Sequence, residues 1–248
     1  MRITVVGATG QIGSRVVRLL RDAGQDVVAA SLSTGVDVLS GDGVAEAVAG
    51  AEVLVDVTNS PSFDDEPVLR FFSSAATTLV AAARHAGVGH YVALSIVGAD
   101  GLPDSGYMRA KTVQEEIIRS SGLPFTIVRA TQFHEFAEMI VGSLRVGDRI
   151  LVPDAGIQPI AAADVAAKLA AVALAEPVNG IVDIGGPEKM SFAELAAAVL
   201  AAAGDRTEVV VDDSATYFGA AVDHHSLVTS DGTGERSETT FAEWLSAR

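Results

Sequence analysis

The chain opens with an apolar run, Ile3 to Val6, of the length of a buried strand. Glycines interrupt it, and Val16, Val17, Leu19 and Leu20 then recur on one helical face, so the N-terminus reads strand, turn, helix. Asp22-Ala23-Gly24 closes that helix, and Val27 to Ala30 forms a second strand. Val36-Asp37-Val38 is predicted as a short strand and Val44 to Ala49 as a small helix. Glu52 to Val57 is a further buried strand that ends in the polar turn Thr58-Asn59-Ser60-Pro61. A helix over Glu66 to Ala86 turns Phe71, Phe72, Leu79 and Val80 to the core, with His85 and, beyond it, His90 expected at the surface or a helix end. His90 to Val97 is the next strand, a helix opens near Ser105, and Phe125 to Ala130 is another strand. Strands alternating with helix-length segments predict a parallel sheet with helices on both faces, a doubly wound α/β fold.

Beyond Thr131 the pattern loosens into an amphipathic stretch with Met139, Ile140 and Leu144, followed by a short strand from Arg149 to Val152. Asp164 reads as the N-cap of a helix to Ala175, and Ser191 with Glu194 as a capping box opening a helix to Ala203. Gly180 to Ile184 is a strand closed by Gly185-Gly186-Pro187, and another lies near Glu208 to Val211. A Tyr217-Phe218-Gly219 segment and a last helix with Phe241, Trp244 and Leu245 complete the chain. The division expected is a domain over 1–131 and a smaller substrate-binding lobe over 132–248, with strands and helices of the latter returning to the main sheet.

Two features of composition narrow the classes open to such a fold. There is no cysteine among the 248 residues, which excludes thiolate nucleophiles, disulfides and thiolate metal sites. The formal charge of −15 is spread along the chain and repels phosphate backbones and anionic lipid, so neither nucleic acid nor membrane is an expected partner. No signal peptide or membrane span is evident, and a cytoplasmic location is expected.

The first turn carries the first candidate chemistry. In Gly7-Ala8-Thr9-Gly10-Gln11-Ile12-Gly13, Gly7 suits a tight turn, Gly10 lets backbone approach a pyrophosphate, and Gly13 lets helix and sheet pack closely. The N–H groups at the helix start would hold phosphates. The Gly-x-x-Gly-x-x-Gly spacing departs from the commoner Gly-x-Gly-x-x-Gly. After the second strand, where an acid would hold the ribose of NAD and an Arg the 2′-phosphate of NADP, the chain reads Ser31-Leu32-Ser33-Thr34-Gly35. The hydroxyls of Ser31, Ser33 and Thr34 tip the expectation toward NADP(H), with NAD(H) as the alternative, and Asp37 is placed to face the adenine.

The second candidate is Ser95 at a strand end with Tyr107 and Lys111 one helical turn apart. Hydride transfer to a carbonyl needs a proton donor. A phenol beside an ammonium is drawn toward the range where it exchanges protons, while a serine hydroxyl can hold the substrate oxygen. Taken singly, Tyr-x-x-x-Lys is a common helix face and a strand-end serine a common turn residue; their joint order after the glycine turn gives them weight.

These stretches together resemble the extended or atypical short-chain dehydrogenase/reductases. Arg109-Ala110-Lys111 through Ile127-Val128-Arg129-Ala130-Thr131-Gln132-Phe133 is more similar to their NmrA-like NAD(P)-binding branch. The resemblance implies a Rossmann-like sheet with cofactor contacts from Gly7, Thr9, Gly10, Gln11, Ile12 and Gly13 and from Thr58 and Asn59, with Lys111 also binding ribose. It implies a substrate bordered by Gln132, Phe133, His134 and Phe136, and a homodimer through the helices around Phe71 and Tyr107. Gln11 and Leu32 stand where many NADP-binding relatives carry a basic residue. The function expected is an NAD(P)H-dependent oxidoreductase acting on a ketone, quinone or alcohol. The alternatives are a dinucleotide-binding redox sensor and an NAD-dependent sugar-nucleotide epimerase or dehydratase. No metal is expected: His134 with Glu138, and Asp223-His224-His225, read as pocket or surface residues.

Overall fold

The structure is a computed structural model that describes residues 1–230 and 233–247. β1 (Arg2–Val6) passes through the glycine turn into α1 (Gln11–Asp22) and β2 (Asp26–Ala30). Then come α2 (Val44–Val48), β3 (Val53–Asp56), α3 (Asp65–Ala86), β4 (His90–Ile96), α4 (Gly106–Arg119) and β5 (Phe125–Ala130). The next stretch holds α5 (Ala137–Ser143), β6 (Arg145–Val146), β7 (Arg149–Val152), β8 (Gly156–Ile157) and α6 (Ala162–Ala173). The last holds β9 (Gly180–Gly185), β10 (Met190–Ser191), α7 (Phe192–Ala202), β11 (Glu208–Val211), β12 (Glu235–Arg236) and α8 (Phe241–Ser246).

Seven strands form one parallel sheet in the order β12-β9-β5-β4-β3-β1-β2. The chain leaves β1 in both directions, to β2 on one side and β3 on the other, and at that switch a doubly wound sheet opens its ligand crevice. Both faces are covered. Val55, Val92 and Val128 pack with Val16 and Leu20 of α1 and Val165 and Leu169 of α6. Leu54, Tyr91 and Ile127 pack with Leu79 of α3 and Ile118 of α4 on the other side. Strands buried on both faces are mostly apolar, which is why they read as near-continuous apolar runs.

The segment 132–248 is shared between two places. α6, β9 and β12 join the main sheet and its helical layer, whereas Ile140, Ile150, Val152, Phe192, Leu195 and Phe241 build a second core. That core also takes in Leu102 and Met108, so the lobe rests on the start of α4. The Ser191–Glu194 capping box forms as expected. No helix among the described residues is long and apolar enough to cross a membrane.

Three local expectations are corrected. Val36-Asp37-Val38 is not a strand: Val36 and Val38 turn into the core beside α2, and backbone bonds run within the loop, from Val36 N to Ser31 O and from Asp37 N to Asp42 O. Asp164 is not an N-cap. Ala161 holds that position, and the Asp164 carboxylate instead accepts bonds from Thr239 N (3.3 Å) and Oγ1 (3.1 Å), seventy-five residues on. His90 is not at the surface but 3 % exposed, its Nε2 2.9 Å from Thr126 Oγ1, and burial lowers its pKa.

Candidate active site

The glycine turn is shaped by what cannot fit in it. Gly7 has φ +85°, and a Cβ there would lie 2.7 Å from Val57 O. Its N–H and that of Ala8 both bond Ala30 O, at 3.0 and 3.1 Å, which pins the turn to the end of β2. Gly10 is the N-cap of α1, and beyond it the first-turn N–H groups have no acceptor within the helix. A Cβ on Gly13 would sit 2.1 Å from Gly7 O, so Gly13 allows the helix to lie against the turn, and it does not line the cleft itself.

A cleft of about 750 Å³ runs from this turn across the carboxyl ends of the strands. Thr9, Gly10, Gln11 and Ile12 border one end, with Ser31 and Asp37 beside them. Ser33 does not border it: its Oγ lies 2.9 Å from Ser31 Oγ. Thr58 and Asn59 follow, then Ser95, Tyr107 and Lys111, and finally Gln132, Phe133 and Phe136. Lys111 is the only cationic side chain lining it among the described residues. Aromatic rings crowd the far end, where Phe63 lies 5.6 Å from Tyr107, Phe133 stacks on Phe136 at 5.6 Å, and Tyr217 contacts Phe218.

Tyr107 and Lys111 line the same cleft but send their hydrogen bonds to different partners. The Tyr107 hydroxyl donates to Asn59 Oδ1 (3.0 Å) and its ring meets the edge of Phe72. Lys111 Nζ instead donates to Leu94 O (2.7 Å) and Gln114 Oε1 and rides 4.4 Å above the Phe72 ring. The expected lowering of the phenol by Lys111 is therefore corrected: burial pushes Tyr107 up to about 12. Burial pulls Lys111 down to about 8, against the carboxylates of Asp56 and Glu115.

Ser95 also differs from expectation. Its hydroxyl donates to Glu115 Oε1 at 2.5 Å, and Glu115 is gripped through both oxygens by Arg129, at 2.9 and 2.7 Å. Burial works against the Arg129 charge, but Glu115 and Asp100 more than offset it and hold its pKa above the ordinary value. A second buried network centres on Asp56, which accepts from Thr58, Tyr91 and Gln114. Asp56, Gln114, Glu115 and Arg129 escaped the sequence reading, although an acid in Val53-Leu54-Val55-Asp56 and a guanidinium in Ile127-Val128-Arg129 are the kind of ionisable group that a buried strand carries only with partners.

His134 is corrected as well. It is 1 % exposed, packed 5.1 Å from Phe241 and 5.5 Å from Trp244, and turned away from the cleft; burial lowers its pKa. Its neighbour Gln132 does line the cleft, 4 % exposed, with neither amide atom hydrogen-bonded.

A family model described as NAD(P)H-binding matches residues 7–177, the span that supplies most of the cleft lining. The chain belongs to that NAD(P)H-binding family. It is 32 % identical over 222 residues to an NAD(P)H azoreductase of Xenophilus azovorans, covering 82 % of this chain and 74 % of the relative. It is 31 % identical to a (4-alkanoyl-5-oxo-2,5-dihydrofuran-3-yl)methyl phosphate reductase of Streptomyces griseus, covering 77 % and 70 %. Its fold is similar to that of a dTDP-glucose 4,6-dehydratase from Streptomyces venezuelae, with a TM-score of 0.75 at 19 % identity over 100 % of this chain and 95 % of the other. The protein is an NAD(P)-dependent oxidoreductase of that family.

Proposed function

We propose that the protein reduces an uncharged, planar carbonyl compound, a quinone or ketone, at the expense of NADH. The observation that carries this reading is the make-up of the cleft: aromatic at the substrate end, with Lys111 the only cation among the described residues lining it. A sugar nucleotide or a phosphate ester is held by several cationic or fork-shaped donors, and among the described residues that wall offers Lys111 alone. The formal charge of −15 opposes such an anion further.

The chain's own groups fit a nicotinamide dinucleotide. The first-turn N–H groups of α1 suit a pyrophosphate that Gly10 lets approach. Lys111 has three donors, of which Leu94 O and Gln114 occupy two, leaving the third for a ribose hydroxyl. Beside Ser31 the lining holds the Asp37 carboxylate and, among the described residues, no cation, so the 2′-phosphate of NADPH meets repulsion while the hydroxyls of NADH do not. Reduced nicotinamide, when bound, supplies a hydride to the carbonyl carbon. Tyr107 delivers the matching proton to the carbonyl oxygen: pushed up to about 12, it is a protonated phenol at neutral pH, an acid suited to reduction.

Steady-state rates with NADH and a panel of uncharged quinones, their phosphorylated or sulfonated analogues and sugar nucleotides test this. Uncharged quinones should be favoured, and Tyr107→Phe should cost about 100-fold or more in kcat/KM, the usual range for a positioned acid. Preference for the anionic compounds, or a Tyr107→Phe variant as fast as wild type, would sink it. The different hydrogen-bond partners of Lys111 and Tyr107 favour one other function, a redox sensor that binds dinucleotide without turnover. No oxidation of bound NADH by any quinone would establish that instead.

A further inference from the structure

Resting on the reductase reading, we infer that Gln132 is the residue that holds the substrate oxygen, in the place otherwise assigned to Ser95. A serine hydroxyl has one proton, and that of Ser95 is engaged by a carboxylate already gripped by Arg129. What Ser95 still offers the cleft is a lone pair. A lone pair repels a carbonyl oxygen and the alkoxide that develops from it.

The missing donor stands across the strand ends. β4 and β5 pair with Ile96 opposite Ala130, and Gln132, two residues past Ala130, lines the same cleft as Ser95 and Ile96. Its backbone is fixed, because Gln132 O accepts from Ile160 N at 2.9 Å and Phe133 bridges Ile160. Its side chain is buried, lines the cleft, and leaves both Nε2 and Oε1 without a hydrogen bond. Buried amides are almost always satisfied, and one that is not, on the wall of a cleft, is completed by what the cleft binds. A carboxamide suits both ends of the proposed reaction. Nε2 donates to the carbonyl of the quinone, and Oε1 accepts from the hydroxyl of the product.

The test compares wild type with Gln132→Leu, which keeps the volume and removes the polar atoms. Three quantities are read: the unfolding midpoint of the ligand-free protein, NADH affinity by nicotinamide fluorescence, and the affinity and turnover of an unsubstituted naphthoquinone. The inference expects an unfolding midpoint at or above that of wild type, since an unsatisfied amide has been removed. NADH affinity should be unchanged. Naphthoquinone affinity for the NAD⁺-loaded protein should weaken about tenfold, and kcat/KM should fall about 100-fold, as for loss of one donor to a developing oxyanion. Weakened NADH binding with naphthoquinone affinity intact would assign the amide to the nicotinamide carboxamide and overturn the inference. So would a lowered unfolding midpoint with substrate constants unchanged, the sign of a structural role. A wild type that binds naphthoquinone through Gln132 but never reduces it would overturn the reductase reading alone, and a wild type that neither binds nor reduces it would overturn both.

Discussion

Lys111 holds its ammonium where burial disfavours the charge, and the opposing pull of Asp56 and Glu115 leaves its pKa at about 8 against an ordinary 10.5. The consequences for stability and binding run in opposite directions. Between about 8 and 10.5 the unfolded chain binds a proton that the folded chain does not, so this residue's contribution to stability rises with pH across that window. Over the same titration the donor proposed for the ribose loses its charge, so NADH affinity should fall as pH rises through about 8. Fluorescence titrations and thermal unfolding from neutral to alkaline pH should show both trends, and Lys111→Met should flatten both. At this scale the sequence showed which residues share the cleft but not what each touches. Tyr107 and Lys111 lie on one helix face, as spacing demands, yet the ammonium goes to Leu94 O and Gln114, partners fixed only by tertiary packing. His90, His134 and Asp164 were misplaced for the same reason: Thr126, Phe241 and Thr239, which bury or bond them, lie far along the chain.

At the scale of elements, the first strand, turn and helix separate folding from binding. A Cβ on Gly13 would meet Gly7 O at 2.1 Å, a backbone atom that cannot yield without opening the turn. Gly13→Ala should therefore cost about 1–3 kcal/mol of stability, the usual penalty of overpacking, read from the denaturation midpoint. Gly10 has φ −73° and ψ 174°, ordinary extended backbone, and its added Cβ would lie 3.2 Å from Gly7 O. Gly10→Ala should keep most of the stability and lose dinucleotide affinity, because the methyl group stands where the pyrophosphate approaches. A Gly10→Ala variant that binds NADH like wild type would show that the phosphates lie elsewhere. The turn and the sheet strands were readable because their signals are local: glycines at fixed offsets and apolar runs forced by burial on both faces. Val36-Asp37-Val38 was not, because a three-residue apolar pattern is the same whether it pairs with a strand or simply plugs the core beside α2.

At the scale of the whole molecule, a strongly acidic protein encloses a cleft with an aromatic end and, among the described residues, one cation. On the proposed reading, that combination disfavours anions away from the backbone amides at the start of α1. The second core of α5, β7, α7 and α8 closes on the start of α4 and brings Tyr217 and Phe218 to the cleft, contacts between segments over a hundred residues apart. On the proposed reading, the sheet positions the nicotinamide, and the lobe adds Phe133, Phe136, Tyr217 and Phe218 to the apolar wall that faces the substrate. The measurement that bears most directly on this account is a titration with NADH, and in parallel NADPH, by nicotinamide fluorescence, with an unsubstituted naphthoquinone added to the same cuvette. The account predicts saturable binding, tighter for NADH, followed by loss of the reduced-nicotinamide signal when the quinone is added. A bound signal that survives the quinone would contradict it.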